Sequence, residues 1–378
     1  MRILYLHQYF RKPQEAGSHR SYYIAKALCE VGHQVEIIAA TNQEKDFSEE
    51  ISPNLWVHYL ASPYKQSMSF WQRIFAFFQF AFKAIVKARY ISYDKIYASS
   101  TPLTIGLIAL WLKITHKKKY IFEVRDLWPQ VPIEMGILKN PILKRLSYFL
   151  EKKIYQNAEQ IVVLSPMMQS YIETRMPQKK VHCIPNMADC DFFEPREPLA
   201  EKFNIIYMGS IGLANGLERV IDWAEKCTWA SFWIVGEGAK KTEIENLVKE
   251  KNLKNVLFFP HQPKNELKNL LAQAQAVVIS FAHYKVLEAC SPNKFFDALA
   301  AGKICISNTS GWIRDLIEAN QCGFYADSSE DFEAKLKIIV QNPKIIAYMQ
   351  VNARKLAENR FNKNQLCRQV VDLFREAT

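Results

Sequence analysis

The segment best equipped for chemistry runs from Cys290 to Lys303 (CSPNKFFDALAAGK). A loop with Ser291 and Pro292 feeds a helix whose first turn holds Asn293 and Lys294. Free backbone N–H groups and the helix dipole favour an anion at such a start. Lys294 adds a full positive charge, and Ser291 a hydroxyl that can cap the helix or donate to a phosphate. Asp297 follows Lys294 at i+3, so both project to nearly one helix face. A phosphate beside Lys294 and a sugar hydroxyl beside Asp297 would suit that geometry. A capped helix start with Asp297 exposed fits the same residues.

Further candidate segments sit where a strand gives way to a loop. In Tyr207–Gly216 (YMGSIGLANG), glycines at 209, 212 and 216 lie between a strand and a helix, without the spacing of the dinucleotide fingerprint. Such a turn lets backbone approach a ligand closely, or is simply tight. Val235–Gly238 is a third strand-end loop, with Gly236 and Glu237, and a plain turn is its simpler reading. In the first half, Tyr5–Arg20 gathers His7, Gln8, Tyr9, Arg11, Lys12, Gly17, Ser18, His19 and Arg20 between a strand and a helix. That loop is a candidate acceptor or phosphate site. Arg125 and Asp126 follow another buried strand. They read either as a structural ion pair or as a pair lining a site, with Asp126 the carboxylate near a reacting group. Asp189-Cys-Asp191 resembles a metal-binding D-x-D, but it falls in a linker rather than after a strand inside a domain, so it is not read as a metal site.

Elements must position these residues. Apolar runs predict strands at Ile3–Leu6, Val35–Ala39, Trp56–Leu60, Lys95–Ala98, Tyr120–Val124 and Gln160–Leu164, with helices between them at Ser21–Val31 and about 69–90, 103–115 and 140–157. The polar stretch Asp189–Pro198 reads as a linker. The alternation then restarts, with strands at Asn204–Met208, Ser231–Val235, Val256–Phe259, Ala276–Ser280 and Ile304–Ser307. Two successive parallel α/β halves follow from this pattern, and ligands in such sheets bind at the carboxyl ends of strands. Gln365–Ala377 reads as a last amphipathic helix.

Composition narrows the class. A chain of 378 residues has room for two domains. Eight scattered cysteines without a C-x-x-C pair, and a start lacking a signal-peptide layout, predict a cytoplasmic protein with reduced thiols. The apolar run Pro102–Leu112 is short for a bilayer span and predicts a buried helix. Charge is uneven: residues 1–190 hold 25 Lys and Arg against 15 Asp and Glu, a net +10, and residues 191–378 a net +1. Within 51–119 ten basic residues face one acid, Asp94, which points to a polyanionic partner. No recognised nucleic-acid motif accompanies that charge, so nucleic acid is not the expected partner. Phe70–Lys83 (FWQRIFAFFQFAFK) has aromatics around most of its circumference, with Lys87 and Arg89 beyond. It reads as an interfacial helix pressed on an anionic membrane or as a deeply buried helix with a basic end; the basic surroundings favour the membrane, over residues 65–90.

Taken together, the motifs resemble the retaining glycosyltransferases of family 4, in order and spacing over nearly the whole chain. They include Gly32–Val35, Arg125–Pro129, Val163–Ser165, Ile184–Asn186, Tyr207–Gly216, Val235–Gly238 and Ser291–Gly302. The nearest branch resembles bacterial O-antigen and capsule fucosamine-type transferases. The resemblance implies a GT-B fold: two Rossmann-like α/β domains facing across a cleft, with a C-terminal helix crossing back. The corresponding domains are an acceptor-side domain at 1–188, a linker at 189–198, a nucleotide-sugar domain at 199–360 and a helix at 361–378 returning to the first domain.

It also implies a donor site of Gly209, Ser210, Gly212, Asn215, Gly236, Glu237, Ser291, Pro292, Asn293, Lys294 and Asp297. Asp297 falls where relatives bind the nucleotide ribose, and Ala289 where they carry a first glutamate. Ser210 and Asn215 replace the Arg and Lys that grip the diphosphate in many relatives, which makes Lys294 the substitute cation. Arg125 replaces a histidine, so Asp126 or His19 would act near the anomeric carbon. The implied reaction moves a sugar, an N-acetylated amino or deoxy sugar, from a UDP-sugar to a polyprenyl-diphosphate-linked glycan on the inner membrane face, with no metal or other cofactor. The lost Arg and Lys leave an inactive membrane-bound scaffold as an alternative, and a UDP-sugar epimerase on the same fold as another.

Overall fold

The computed structural model describes every residue except Ala16, 65–67, Ser69, 197–201 and 376–378, and the side chain of Phe70. The chain forms two compact units, one of residues 1–12, 18–185 and 367–378, the other of 13–17 and 186–366.

The first unit runs β1 (Arg2–Leu6), α1 (Arg20–Glu30), β2 (Gln34–Thr41), β3 (Phe47–Ser52), β4 (Leu55–Ala61), α2 (Phe70–Ala88), β5 (Lys95–Ser99), α3 (Thr104–His116), β6 (Tyr120–Val124), α4 (Gln130–Glu134), α5 (Pro141–Asn157), β7 (Gln160–Val163), α6 (Pro166–Arg175) and β8 (Val181–Cys183). Its sheet has the order β3-β4-β2-β1-β5-β6-β7-β8, parallel except for β3, which pairs antiparallel with β4. Strands β5, β6 and β7 are buried throughout, as their largely apolar runs require when helices cover both faces. From β1 the chain winds out through β2 to β4, then returns to place β5 on the other side of β1. That reversal beside β1 is where an open α/β sheet leaves a crevice at its strand ends.

Helix starts follow local chemistry. Asn140 caps α5 by accepting from the N–H groups of Ile142 and Leu143 at 2.9 and 3.1 Å, with Pro141 at the first helical position. Ser165 caps α6 through Met168 N–H at 3.1 Å. Helix α3 carries the predicted buried run, with Ile105, Ile108, Ala109 and Leu112 inside. Gly106 lets α5 come close: a Cβ there would stand 2.6 Å from Ile154 Cδ1.

Helix α2 settles one of the two readings of its aromatic sequence. It turns Ala76, Phe80, Ala81, Ala84 and Ala88 inward, whereas Trp71, Phe75, Phe78 and Phe82 are 67%, 70%, 52% and 70% exposed. A deeply buried helix is therefore excluded; alanines and Phe80 make the packing face, and the other described large aromatics are mostly outward. Residues 65–67 and Ser69, the start of the expected membrane segment, lie outside the described residues. Among the described residues no helix is long and apolar enough to cross a membrane.

The second unit runs β9 (Asn204–Met208), α7 (Glu218–Lys226), β10 (Ser231–Val235), α8 (Lys241–Glu250), β11 (Val256–Phe259), α9 (Lys264–Ala272), β12 (Ala276–Ile279), α10 (Asn293–Ala300), β13 (Ile304–Ser307), α11 (Trp312–Ala319), β14 (Gly323–Tyr325), α12 (Ser329–Val340) and α13 (Pro343–Arg360). Its parallel sheet has the order β11-β10-β9-β12-β13-β14 and reverses between β9 and β12. On one face Trp223 stacks on Phe332 with ring centroids 4.3 Å apart. The last helix, α14 (Lys363–Arg375), starts in the second unit and from Cys367 belongs to the first, where Phe374 lies 5.9 Å from the Tyr97 ring. Residues 376 and 377 of the expected helix lie outside the described residues.

The stretch read as a linker is fastened to the second unit along its described part. Arg354 donates to the carbonyls of Cys190, Phe193 and Ala300 at 3.1, 2.7 and 2.6 Å. Asp189 pairs with Lys264 and Lys363, each at 2.7 Å, and Asp191 with Lys363 at 3.1 Å. These two carboxylates are thus ion-pair anchors, and among the described residues no cluster of three or more metal-ligating side chains forms. Positions 197 and 198 lie outside the described residues. All eight cysteines are free thiols.

Candidate functional site

In the second unit the reversal of the sheet lies between the ends of β9 and β12, and the predicted glycines gather there. Gly236, just past β10, presses against the loop after β9: a Cβ on it would stand 1.9 Å from the Gly209 carbonyl oxygen, at a φ of +151°. Only glycine allows that approach. The 212–216 turn is pinned to the end of β12. Ala282 N–H donates to Ala214 O at 2.9 Å, and Ser280 Oγ donates to Asn215 O at 2.7 Å. Asn308 holds Ser280 in turn, donating to its Oγ at 2.9 Å and accepting from Phe281 N–H at 2.9 Å. The Asn215 side chain is used inside the turn, accepting from Gly212 N–H at 3.3 Å. Ser210 is exposed, and its carbonyl accepts from Tyr207 Oη at 2.6 Å.

Lys294, in the first turn of α10, extends over this floor. Its Nζ lies 3.7 Å from the Tyr207 ring centroid and 3.4 Å from where a Gly209 Cβ would be. The residue as a whole is half-buried, yet Nζ is sealed from solvent and has no hydrogen-bond partner. Loss of hydration pushes its pKa down to about 7. A sealed ammonium resting on an aromatic face and a glycine backbone can accept an anion without first breaking an ion pair.

Asp297, one turn on, is half-buried rather than exposed, which removes the reading of a plain capped helix. Burial pushes its pKa up to about 7, with Asp189 adding to the rise and Lys264 opposing it. Ser291 does not cap α10: Pro292 holds the cap position with no side-chain bond. Instead Ser291 is buried, its Oγ accepting weakly from Asn186 N–H at 3.4 Å and its carbonyl from Asn186 Nδ2 at 2.6 Å. Asn293 is exposed in the first turn. Lys303, closing the predicted segment, donates to the carbonyls of Arg196 and Ala272 at 3.0 and 3.3 Å. Glu237 is an exposed partner of Lys241 at 2.6 Å, and its backbone carbonyl holds Ile211 N–H at 2.9 Å. The structure therefore brings Gly209, Gly236 and Lys294 together, and leaves the Glu237 side chain in a surface ion pair.

In the first unit the reversal lies beside β1, and a polar network fills it. Glu123, at the end of β6, is fully buried. It accepts from Arg20 Nε at 2.9 Å, Tyr97 Oη at 2.8 Å and Ser99 Oγ at 2.7 Å. Arg20 and Arg125 outweigh the desolvation and hold its pKa down to about 2. Arg20 also donates to Ile184 O at 2.9 Å and Pro185 O at 2.5 Å. Arg125 does not pair with Asp126. It reaches back to His7 Nε2 at 3.1 Å and Ser18 Oγ at 2.9 Å. Asp126 accepts from Thr101 Oγ1 at 2.9 Å.

His7 is buried, and burial together with Arg125 lowers its pKa to about 3. It is therefore neutral. Because a guanidinium only donates, Nε2 must accept and Nδ1–H must donate to Ser21 Oγ, 2.8 Å away. His19 is buried at the start of α1, its ring 6.3 Å from that of Tyr23. Sequence reading missed Glu123 and Tyr97 because each sits inside a run that reads as core strand. A carboxylate in an otherwise apolar strand was the available signal.

Two parallel α/β units, each with a polar cluster where its sheet reverses, define a GT-B protein. Comparisons agree with that class and narrow it. Residues 18–192 match the model of Glycosyltransferase Family 4, and residues 191–356 that of Glycosyl transferases group 1. Sucrose-phosphate synthase of Thermosynechococcus elongatus superposes over 100% of this chain and 98% of its own with a TM-score of 0.82, at 17% identity. HepE of Anabaena, solved with UDP-glucose, superposes over 100% of both chains with a TM-score of 0.73, at 14% identity. An Escherichia coli (strain K12) protein, WcaI, whose name assigns it to colanic acid biosynthesis as a glycosyl transferase, is 27% identical over 275 residues, covering 68% of this chain and 67% of its own. The chain belongs to the family 4 glycosyltransferases of the GT-B fold, and it is a glycosyltransferase.

Proposed function

We propose that the chain moves a sugar from a UDP-sugar to a lipid-linked glycan with retention at the anomeric carbon, in the synthesis of a bacterial surface polysaccharide. One observation carries the reading: the Lys294 ammonium is sealed, unpartnered and aimed at the Gly209 backbone beside the α10 start. A diphosphate there meets one full charge and the free N–H groups of a helix start. In the proposed reaction the bond from the anomeric carbon to the phosphate oxygen breaks, leaving negative charge on the diphosphate and positive charge on the ring. The acceptor hydroxyl attacks from the same face, and its proton passes to the departing phosphate oxygen.

Lys294 and the helix start stabilise the leaving group, and Asp297 takes the ribose hydroxyls. Gly209, Ser210, Gly212, Asn215, Gly236 and Asn293 supply backbone close to the donor, with Ser291 and Pro292 shaping the turn into α10. In the first unit Arg125, Asp126 and His19 act near the sugar. The HepE complex with UDP-glucose and the name of WcaI support the donor and pathway classes. Metal independence is part of the proposal.

The exposed α2 aromatics and the basic first half support a peripheral position on an anionic inner membrane face, where a polyprenyl-diphosphate acceptor resides. A thermal-shift panel of UDP- and GDP-sugars, with and without EDTA, tests the donor. UDP-sugars raise the melting temperature and EDTA leaves the rise unchanged. Stabilisation by GDP-sugars alone overturns the uridine assignment, and loss of the rise in EDTA overturns metal independence.

A further inference from the structure

A second helix carries the signature that singled out α2, and nothing in its sequence drew attention to it. Helix α5 exposes Ile142 at 75%, Leu146 at 59% and Phe149 at 57%. Their spacing of four and three residues makes one continuous stripe along the helix. Arg145, Lys152 and Lys153 are exposed beside it, with Lys153 Nζ 5.5 Å from the centroid of the Phe149 ring. The one acid of α5, Glu151, is turned inward and is 4% exposed. Burial pushes its pKa up to about 7, and its Oε2 lies 3.5 Å from Arg175 Nη1, so it adds no unpaired negative charge to the face.

Topology puts this stripe on the same side of the sheet as α2. The connections β4–α2–β5, β5–α3–β6 and β6–α5–β7 all step in one direction along a parallel sheet. Right-handed crossovers stepping one way place their helices on one face. Helix α3 packs against α2 on one flank and α5 on the other. Gly106 brings α3 against Ile154, and Lys113 Nζ donates to Asn157 O, the last residue of α5, at 2.7 Å. At the α2 end, the Arg89 guanidinium lies 5.1 Å from the Trp111 ring of α3.

Helices in contact stand about 8–10 Å apart, so the two stripes run roughly 16–20 Å apart on one layer. Exposed Ile114 lies on the helix between them. Across α2, α3 and α5 no acidic side chain is exposed, whereas Arg73, Lys83, Lys87, Lys144, Arg145, Lys152 and Lys153 are all present.

We propose that α5 is a second membrane-contacting helix, so that the first unit meets an anionic bilayer through two parallel apolar stripes rather than through α2 alone. This rests on the membrane reading given above for α2 and extends it. A single interfacial helix leaves the protein free to roll about its axis. Two stripes on one rigid layer fix that rotation and hold the layer flat on the headgroups, with Ile142, Leu146 and Phe149 in the acyl boundary and the basic side chains at phosphate level. The bilayer is favoured over a protein partner by the chemistry of the face: wide, apolar and rimmed by positive charge, with no exposed acid on its three helices and one acid beside them, Asp46, paired with Lys83 at 3.2 Å.

The test is vesicle co-sedimentation of the full chain with phosphatidylcholine and with phosphatidylcholine–phosphatidylglycerol vesicles. Variants are an α5 triple (Ile142→Ser, Leu146→Ser, Phe149→Ser), an α2 double (Phe75→Ser, Phe82→Ser) and an α5 charge pair (Lys152→Glu, Lys153→Glu). The α5 triple lowers partitioning to the anionic vesicles by about tenfold or more with an unchanged melting temperature. The charge pair weakens binding to anionic vesicles and leaves the weak binding to neutral ones as it was.

Wild-type partitioning of the α5 triple overturns the proposal while leaving the α2 reading intact. Loss in the α5 triple with none in the α2 double overturns the α2 reading and the two-stripe arrangement with it, leaving α5 as the contact. A second measurement, sedimentation velocity without lipid, guards against another occupant. If the α5 triple only converts a dimer to a monomer, the stripe joins two copies of this chain and the proposal fails.

Discussion

Glu123 and Lys294 show two opposite fates of a buried charge. Glu123 accepts from Arg20, Tyr97 and Ser99, and its carboxyl stays ionised down to about pH 2. Its depressed pKa contributes stability above the ordinary glutamate value of 4.5, and that contribution fades as pH falls toward about 2. Glu123→Gln leaves Arg20 buried without a counter-charge. The expected cost is about 3–5 kcal/mol, read from urea unfolding at neutral pH; a cost under about 1 kcal/mol would contradict the network. Lys294 has the reverse setting, with no partner and a pKa lowered to about 7. Between about 7 and 10.5 the unfolded chain holds a proton that the folded one lacks, so this lysine costs stability that returns as pH rises. A group that costs stability in this way is what a ligand site accumulates. The type and position of Lys294 were legible in the sequence. Its sealed Nζ was not, because the Tyr207 ring and the Gly209 backbone come from a strand far away in the chain.

At the scale of elements, spacing decides what is exposed. Gly106 sets how closely α5 approaches α3, and the layer formed by α2, α3 and α5 follows from that packing. Gly106→Ala places a methyl 2.6 Å from Ile154 Cδ1 and is expected to cost about 1–3 kcal/mol. Pairing it with Ile154→Ala should recover part of that cost, a coupling measured by a double-mutant cycle in denaturant. Strict additivity would show that the two residues are not in contact. The strands were readable because those buried on both faces are mostly apolar runs bounded by polar loops. The edge strand β3 (FSEEIS) gives no such signal, since it pairs on one side only and alternates half-buried with exposed positions. Helix α2 was readable as unusual but not as to its direction. Aromatics around most of its circumference leave the inward face undefined until Ala76, Phe80, Ala81, Ala84 and Ala88 are seen to meet the protein. The α5 stripe was invisible for another reason: Ile, Leu and Phe at helical spacing ordinarily mark the buried side.

At the scale of the whole molecule, one device is used twice. Each sheet reverses beside its first strand, and each reversal gathers hydroxyl and charged side chains that would be out of place in a core, with glycines added in the second unit. The restart of alternating strands and helices after residue 204 made that duplication legible from the sequence. The side chains that make each cluster specific, such as His7 under Arg125, depend on loops whose course the sequence does not encode locally. The division of labour proposed here assigns the donor to the second unit and the membrane to the first. At its centre Lys294 is proposed to neutralise the donor's diphosphate. Titration calorimetry of a UDP-sugar into the wild-type chain and into Lys294→Ala, at about pH 8 in buffers of different ionisation enthalpy, addresses it directly. The wild type should take up close to one proton on binding, as the anion restores the lysine's charge. Lys294→Ala should bind about 10–100-fold more weakly, the worth of one charged hydrogen bond, and take up none. Equal affinity and equal proton uptake in the two proteins would contradict the account.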